Sequence, residues 1–336
     1  MSSTEPVPET RTMAGDELSA DDAYLALRHY GGWPLLRDAF VRFRYGDGFS
    51  HSRAFALQLC LAVVPFLIAL SGLATDLGAE SGGQVVADTV IALTPGASEP
   101  LVRELLEDDD RTEDAGELAL TLGLITGLVA LTTAMAQVER GANRIYGVER
   151  DRPALLKYTR AVVLALTAGL PALVGFLLLV AGRAAGESAE QNFHLPGVLR
   201  VGWDVVRWPV SLALIVFAVG ALFRHAPRRR QPALSWLLVG AVVATVLWWL
   251  ASLGLAGYVR VSGSFGATYG PLTAMMALLL WANLTGIAFF LGLAFAAQLE
   301  ARRVGAKPAQ PDQWKPTPTA DLPAQRTPGV PAEPTG

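Results

Sequence analysis

Side chains that could ligate a metal, attack a substrate or carry protons are scattered in this sequence. The four histidines, His29, His51, His194 and His225, stand far apart, and the single cysteine, Cys60, has no second thiol to pair with. A zinc-type centre needs several such donors at close spacing, so no clustered metal site is expected. One cysteine also excludes an internal disulfide framework. No G-x-S-x-G nucleophile elbow, phosphate loop ending in Lys-Ser/Thr or Cys-x-x-Cys pair occurs. The run Gly263-Ser264-Phe265-Gly266-Ala267-Thr268-Tyr269-Gly270 is glycine-rich but lacks the lysine of a nucleotide loop, and it reads as a re-entrant turn. The acidic run Glu107-Asp108-Asp109-Asp110 lacks the Asp/Asn and Gly spacing of a calcium loop, so it reads as a solvated face. Neither an enzyme nor a bound cofactor is expected.

What polar chemistry remains is mild and lies inside long apolar blocks. Gln58, Thr126, Thr132, Thr133, Thr245, Asn283 and Thr285 fall there. The amide of Asn283 needs a partner in hydrocarbon, which a neighbouring helix could supply as well as a substrate could. Tyr258 and Tyr269 join Asn283 as candidate substrate or lipid contacts. Arg144 and Arg152 are candidates for attracting anionic headgroups.

The elements that would position these groups follow from composition. The 336 residues are 52% hydrophobic and 17% charged, with 27 basic and 30 acidic side chains and a net charge of −3. Soluble domains carry roughly a quarter charged residues. Near-balanced charge also argues against a basic nucleic-acid binder, so no nucleic acid is expected as a partner. The apolar residues form six uninterrupted blocks, at 54–73, 118–136, 161–182, 208–223, 233–257 and 271–299, with no Asp, Glu, Lys or Arg inside them. Crossing ~30 Å of hydrocarbon takes about 20 helical residues. Backbone groups in lipid must be satisfied internally, so each block is expected to be an α-helix. The fold class is therefore all-α, a polytopic bundle of six transmembrane helices over residues 33–303.

Lysine and arginine collect before the first block, in the second and fourth connections, and after the last block. These include Arg42, Arg44, Arg140, Arg144, Arg152, Lys157, Arg224, Arg228, Arg229, Arg230, Arg302 and Arg303. That alternation predicts both termini on the cytoplasmic side. Residues 1–32 read as a polar tail without the apolar core of a signal peptide. Residues 33–49 are amphipathic and could lie on the membrane surface or on the protein's own face. Residues 304–336 are proline-rich and read as disordered. Pro65 and Pro171 should kink their helices. Gly123 and Gly127, with Gly169, Gly175, Gly240 and Gly292, offer close helix packing within one bundle, or a homo-oligomer contact.

Several stretches are similar to one family. Val63-Val64-Pro65-Phe66-Leu67 resembles the first span of the YihY/BrkB-like inner-membrane family, and Asn143-Arg144-Ile145-Tyr146-Gly147-Val148, with Arg152 and Pro153, resembles its second connection. The longest likeness runs from Leu222-Phe223-Arg224-His225-Ala226-Pro227 through Trp236, Gly240, Trp248 and Tyr258 to Tyr269-Gly270-Pro271, Leu280-Trp281 and Gln298-Leu299-Glu300. The resemblance implies a multi-pass bacterial inner-membrane protein that handles a lipid-like or amphipathic molecule, with membrane lipids as its partners. The alternative it leaves is a non-transporting scaffold or envelope-integrity protein. The family's historical ribonuclease BN label would need clustered His/Asp ligands, which this sequence lacks. A Gly-Ala-Glu-type motif is frequent in the family's last helix. Here Gly292-Leu293-Ala294 has alanine where the carboxylate would fall.

Overall fold

The computed structural model describes residues 6–9, 18–76, 113–148, 152–180, 182–183, 186–187, 190, 196–261 and 271–306. Among these residues the ordered secondary structure is entirely helical. The acidic run 107–110, Tyr269 with its glycine-rich turn, and the proline-rich stretch from 307 onward lie outside the described residues. We number the helices α1 (Ala20–Tyr30), α2 (Trp33–Tyr45), α3 (Gly48–Asp76), α4 (Glu113–Ile145), α5 (Ala154–Leu164), α6 (Leu170–Val180), α7 (Gly197–His225), α8 (Leu234–Val261) and α9 (Pro271–Arg303).

Each apolar block becomes a helix, and most of these helices overrun the block that predicted them. Helix α4 starts before residue 118 and continues past 136 to Ile145, and α7 starts eleven residues before Trp208. Arg140 and Arg144 sit in the α4 extension, so the charges end the apolar run without ending the helix. Five described stretches are long and apolar enough to cross a membrane: Leu120–Ile145, Leu155–Leu179, Val198–His225, Leu234–Tyr258 and Met276–Arg303. Their outward faces are apolar. On α4, Leu118, Leu122, Ile125 and Val129 form a stripe between 52% and 60% exposed. In water such a surface would be an aggregation liability, and in a bilayer it is solvated by acyl chains.

The long helices form a closed circuit. Helix α3 packs on α4, α4 on α5, α6 on α7, α7 on α8, α8 on α9, and α9 returns to α3. Helices α5 and α6 form one rod through a π turn at Ala165–Gly169. Pro171 lies just beyond that turn and lacks an amide hydrogen for the Thr167 carbonyl, so the chain widens where the regular ladder loses a donor. Helices α8 and α9 cross in close contact. A Cβ on Gly240 would lie 2.9 Å from the Gly292 carbonyl oxygen, and one on Gly292 would lie 2.8 Å from that of Gly240. These two glycines are therefore spent on packing within the chain. Just beyond the end of α9, Gly305 sits in the left-handed region, φ 68°. The amides of Gly305 and Ala306 donate to Arg302 and Ala301, which satisfies carbonyls that the helix end would orphan.

The N-terminal segment departs from the expected polar tail. Helix α1 forms because the Ser19 amide donates to Asp22 Oδ2 at 3.0 Å, and it buries Ala23 and Ala26. Val7 and Leu18 are buried too, and their backbones bond Tyr146 and Ala233. Short apolar contacts of this kind leave little periodic signal, which is why a tail was the expectation. Helix α2 faces both ways. Leu35, Ala39, Arg42 and Phe43 are buried, and the helix packs on α9, while Trp33, Leu36 and Phe40 stay exposed.

Candidate functional site

Helices α3, α4 and α5 converge on a polar cavity of about 180 Å³. Helix α3 contributes Gln58. Helix α4 contributes Thr133, Gln137 and Arg140, which are spaced four and three residues apart and so share one face. Helix α5 contributes Lys157 and Tyr158 from its first turns. The Thr133 hydroxyl donates to Gln58 Oε1 at 2.9 Å, tying α3 to α4 across the wall. Gln137 Nε2 lies 3.2 Å from His51 Nδ1, which secures the second amide. Lys157 is 7% exposed, whereas Tyr158 is half exposed at the rim. The cavity is thus a cationic, donor-rich recess in a bundle whose outer surface is apolar. No acidic side chain is among its lining residues.

Beside it, one end of the bundle is tied by buried arginines. Arg229 reaches Glu300 Oε1 at 2.6 Å, with side chains 2% and 0% exposed. It also donates to the Pro8 carbonyl at 2.8 Å, and its guanidinium lies 4.5 Å from the Tyr146 ring centroid. Arg42 donates to Gln298 Oε1 at 2.8 Å and to the Ile145 carbonyl at 3.1 Å. Arg152 lies 2.8 Å from Glu139 Oε1 and donates to the carbonyls of Ala226 and Pro227. Asn143 accepts from the Arg228 amide at 2.7 Å. Burial, the largest influence, pushes the Tyr146 phenol well above its ordinary range, and the Glu300 carboxylate adds to it.

These contacts place the residues expected to act. Arg152 turns inward to Glu139 and the α7–α8 connection, where its hydrogen-bonding fork is engaged by protein. Arg144 is half-buried in the last turn of α4. Tyr258 is exposed near the end of α8. The Oδ1 atom of Asn283, on α9, is shielded and has no hydrogen-bond partner among the described residues. None of these four lines the cavity, and Tyr269 is outside the described residues. The cavity instead gathers Gln58 and Thr133, which the sequence marks as polar at depth, with Arg140 and Lys157, which it marks only as orientation charges, and Gln137 and Tyr158, which it does not mark. A clue was present in the spacing of Thr133, Gln137 and Arg140. The last helix also carries a carboxylate after all, at Glu300 rather than at position 294. Among the described residues, no group of three or more His, Cys, Asp or Glu side chains could hold a metal ion.

Comparison with known proteins agrees with this architecture. The sequence profile of the family described as "Virulence factor BrkB" matches residues 39–317. The chain is 27% identical over 269 residues to a ribonuclease-like protein, YfkH, of Bacillus subtilis, covering 80% of this chain and 96% of that one. It is 31% identical over 179 residues to a UPF0761 membrane protein of Alteromonas mediterranea, covering 53% and 58% of the two chains. A UPF0761 membrane protein of Vibrio campbellii is 26% identical over 243 residues, covering 72% and 74%. No solved structure matches the chain.

Proposed function

Since this chain belongs to the BrkB family of multi-pass bacterial membrane proteins, we propose that it accommodates an amphipathic, lipid-like molecule and eases its polar end across the bilayer. One observation carries this reading: a polar recess opens among α3, α4 and α5 in a bundle that otherwise presents apolar side chains outward. Moving a headgroup through hydrocarbon is costly because its hydrogen bonds go unmade. A wall of amides, hydroxyls and cations replaces part of that hydration.

In this reading the chain crosses the membrane six times, with α3 as the first crossing and α9 as the last. The arginine-rich end, where Arg42, Arg152, Arg229 and Arg302 meet their partners, faces the cytoplasm together with both termini. Trp33, Leu36 and Phe40 of α2 then point toward the interfacial region, where aromatic and aliphatic side chains are well solvated. Membrane lipids are its partners. We do not carry the ribonuclease-like name of the Bacillus relative over to this chain, because phosphodiester hydrolysis by metal-bound water needs clustered ligands and none are gathered among the described residues. Metal-dependent RNA cleavage by the purified protein would overturn that exclusion.

The test is reconstitution. Purified protein in vesicles carrying a fluorescent phospholipid should speed exchange between leaflets, read as the fraction of dye that an external quencher reaches. Folded protein that leaves the exchange rate at that of empty vesicles would overturn transport and favour a scaffold role.

A further inference from the structure

We infer that the exposed face of α2, together with the first turns of α3, is a docking surface for anionic phospholipid of the surrounding bilayer. This rests on the proposed placement of α3 as the first crossing, and it adds which lipid the interfacial strip selects. Helix α2 has 13 residues, about 20 Å of rise, too short to cross a ~30 Å hydrocarbon core. Its two faces differ. Leu35, Ala39, Arg42 and Phe43 are at most 2% exposed and seat the helix on α9, where Arg42 bonds Gln298. Trp33, Leu36, Phe40 and Arg44 follow one another at spacings of three and four, with Arg37 beside Leu36, and all five are exposed. An aromatic and aliphatic row interleaved with arginines is the composition of a helix lying in a headgroup layer.

Two observations say what covers this face. The first is continuity with the outward side of α3. Phe40 meets Phe49, at the start of α3, edge to face with ring centroids 6.4 Å apart. From Phe49 the exposed line continues every four residues through Arg53, Leu57 and Leu61. Leu57 and Leu61 are 52% and 55% exposed, a surface that acyl chains solvate and water does not. A short turn at Gly46 and Asp47 joins the two helices, so α2 stays at the level where α3 begins. The second observation is charge. Arg53 lies one helical turn from Phe49, roughly 6 Å along the axis, where the apolar line starts. With Arg37 and Arg44 it places three guanidinium groups on the exposed strip. Of the two acids between residues 33 and 53, Asp38 turns to Arg302 and Asp47 is exposed. Basic groups at this level attract an anionic leaflet, and the guanidinium fork suits phosphodiester oxygens. A second copy of the same basic strip would be repelled instead.

The full-length protein in lipid nanodiscs is the material for the test. A fluorophore on Leu36→Cys, in a Cys60→Ser background, is quenched by phospholipid that carries a doxyl group near its headgroup. At equal mole fraction, labelled phosphatidylglycerol should quench about threefold or more as strongly as labelled phosphatidylcholine. Arg37→Gln/Arg53→Gln should bring the two lipids level, and Arg37→Lys/Arg53→Lys should keep most of the preference. If the double variant does not fold, Arg37→Gln alone, at an exposed position, should still lower the preference. Equal quenching by the two lipids with both arginines present overturns anion selection, as does a preference that the glutamine variants leave unchanged. A fluorophore that neither lipid quenches faces water or a protein partner, and that result overturns the docking surface altogether. Docking is read without transport, so a lipid preference without leaflet exchange overturns transport alone. Leaflet exchange without a lipid preference overturns this surface alone.

Discussion

Arg229 and Glu300 are 71 residues apart in the chain, yet guanidinium and carboxylate meet at 2.6 Å with both side chains almost fully buried. The pair joins the α7–α8 connection to the last helix, and through Pro8 it joins the N-terminal segment as well. Removing one partner leaves the other charge buried and uncompensated. Glu300→Gln should therefore cost about 3–5 kcal/mol of stability. The combination Arg229→Met with Glu300→Leu should recover most of that loss. Thermal unfolding in detergent, followed with a thiol-reactive dye on the single Cys60, checks both outcomes.

Two glycines separate packing from propensity. A Cβ on Gly292 would meet Ala244 Cβ at 2.5 Å, whereas one on Gly127 finds nothing closer than Pro65 Cβ at 3.8 Å. Gly292→Ala should destabilise the protein by about 1–3 kcal/mol through overpacking. Gly127→Ala should stay within about 1 kcal/mol of wild type, with any change toward higher stability. Melting temperatures of the two variants, measured side by side, decide this.

Tyr146 makes the fold sensitive to alkali. Its phenol ionises at higher pH in the folded protein than in the unfolded chain, where tyrosine titrates near pH 10. The unfolded state therefore loses its proton first, so the contribution is intact below about pH 10 and is lost as pH rises further. Stability measured between pH 8 and 11 should fall less steeply in Tyr146→Phe than in wild type.

Helix α1 should respond to acid. The Ser19 amide beside Asp22 holds its carboxyl below the usual carboxylate range, with a smaller contribution from Arg303. A lowered folded value means stability that is present above the unfolded pKa, near 3.9, and is lost as pH falls through the folded one. Hydrogen exchange should show α1 opening at acid pH before the long helices, and Asp22→Ala should produce the same opening at neutral pH.

The apolar blocks were legible because a membrane crossing is written as a single uninterrupted run, about 20 residues long. Their true ends were not. Arg140, Arg144 and Glu300 look like the start of water, but a folded protein can pair such charges and carry a helix on. Helix α1 escaped notice because its buried face is little more than Ala23 and Ala26. In the sequence each candidate contact stands alone, marked only by what its side chain would want in lipid. The cavity depends on three helices arriving together, with Gln58 and Lys157 separated by almost a hundred residues, and one-dimensional spacing records only the α4 part. Arg152 shows the same limit: its sequence position fits a lipid headgroup, while its partner Glu139 is visible only in three dimensions.

The circuit of helices closes only when α9 reaches α3, and this sets a timetable for biogenesis. Arg42 must wait for Gln298, 256 residues later, to take its hydrogen bond. At ribosomal rates of roughly 5–20 residues per second the delay is about 10–50 s. Through that interval a half-built bundle holds an arginine that lacks its last-helix partner, and an open seam, so the nascent chain depends on the insertion machinery until nearly its last helix is made.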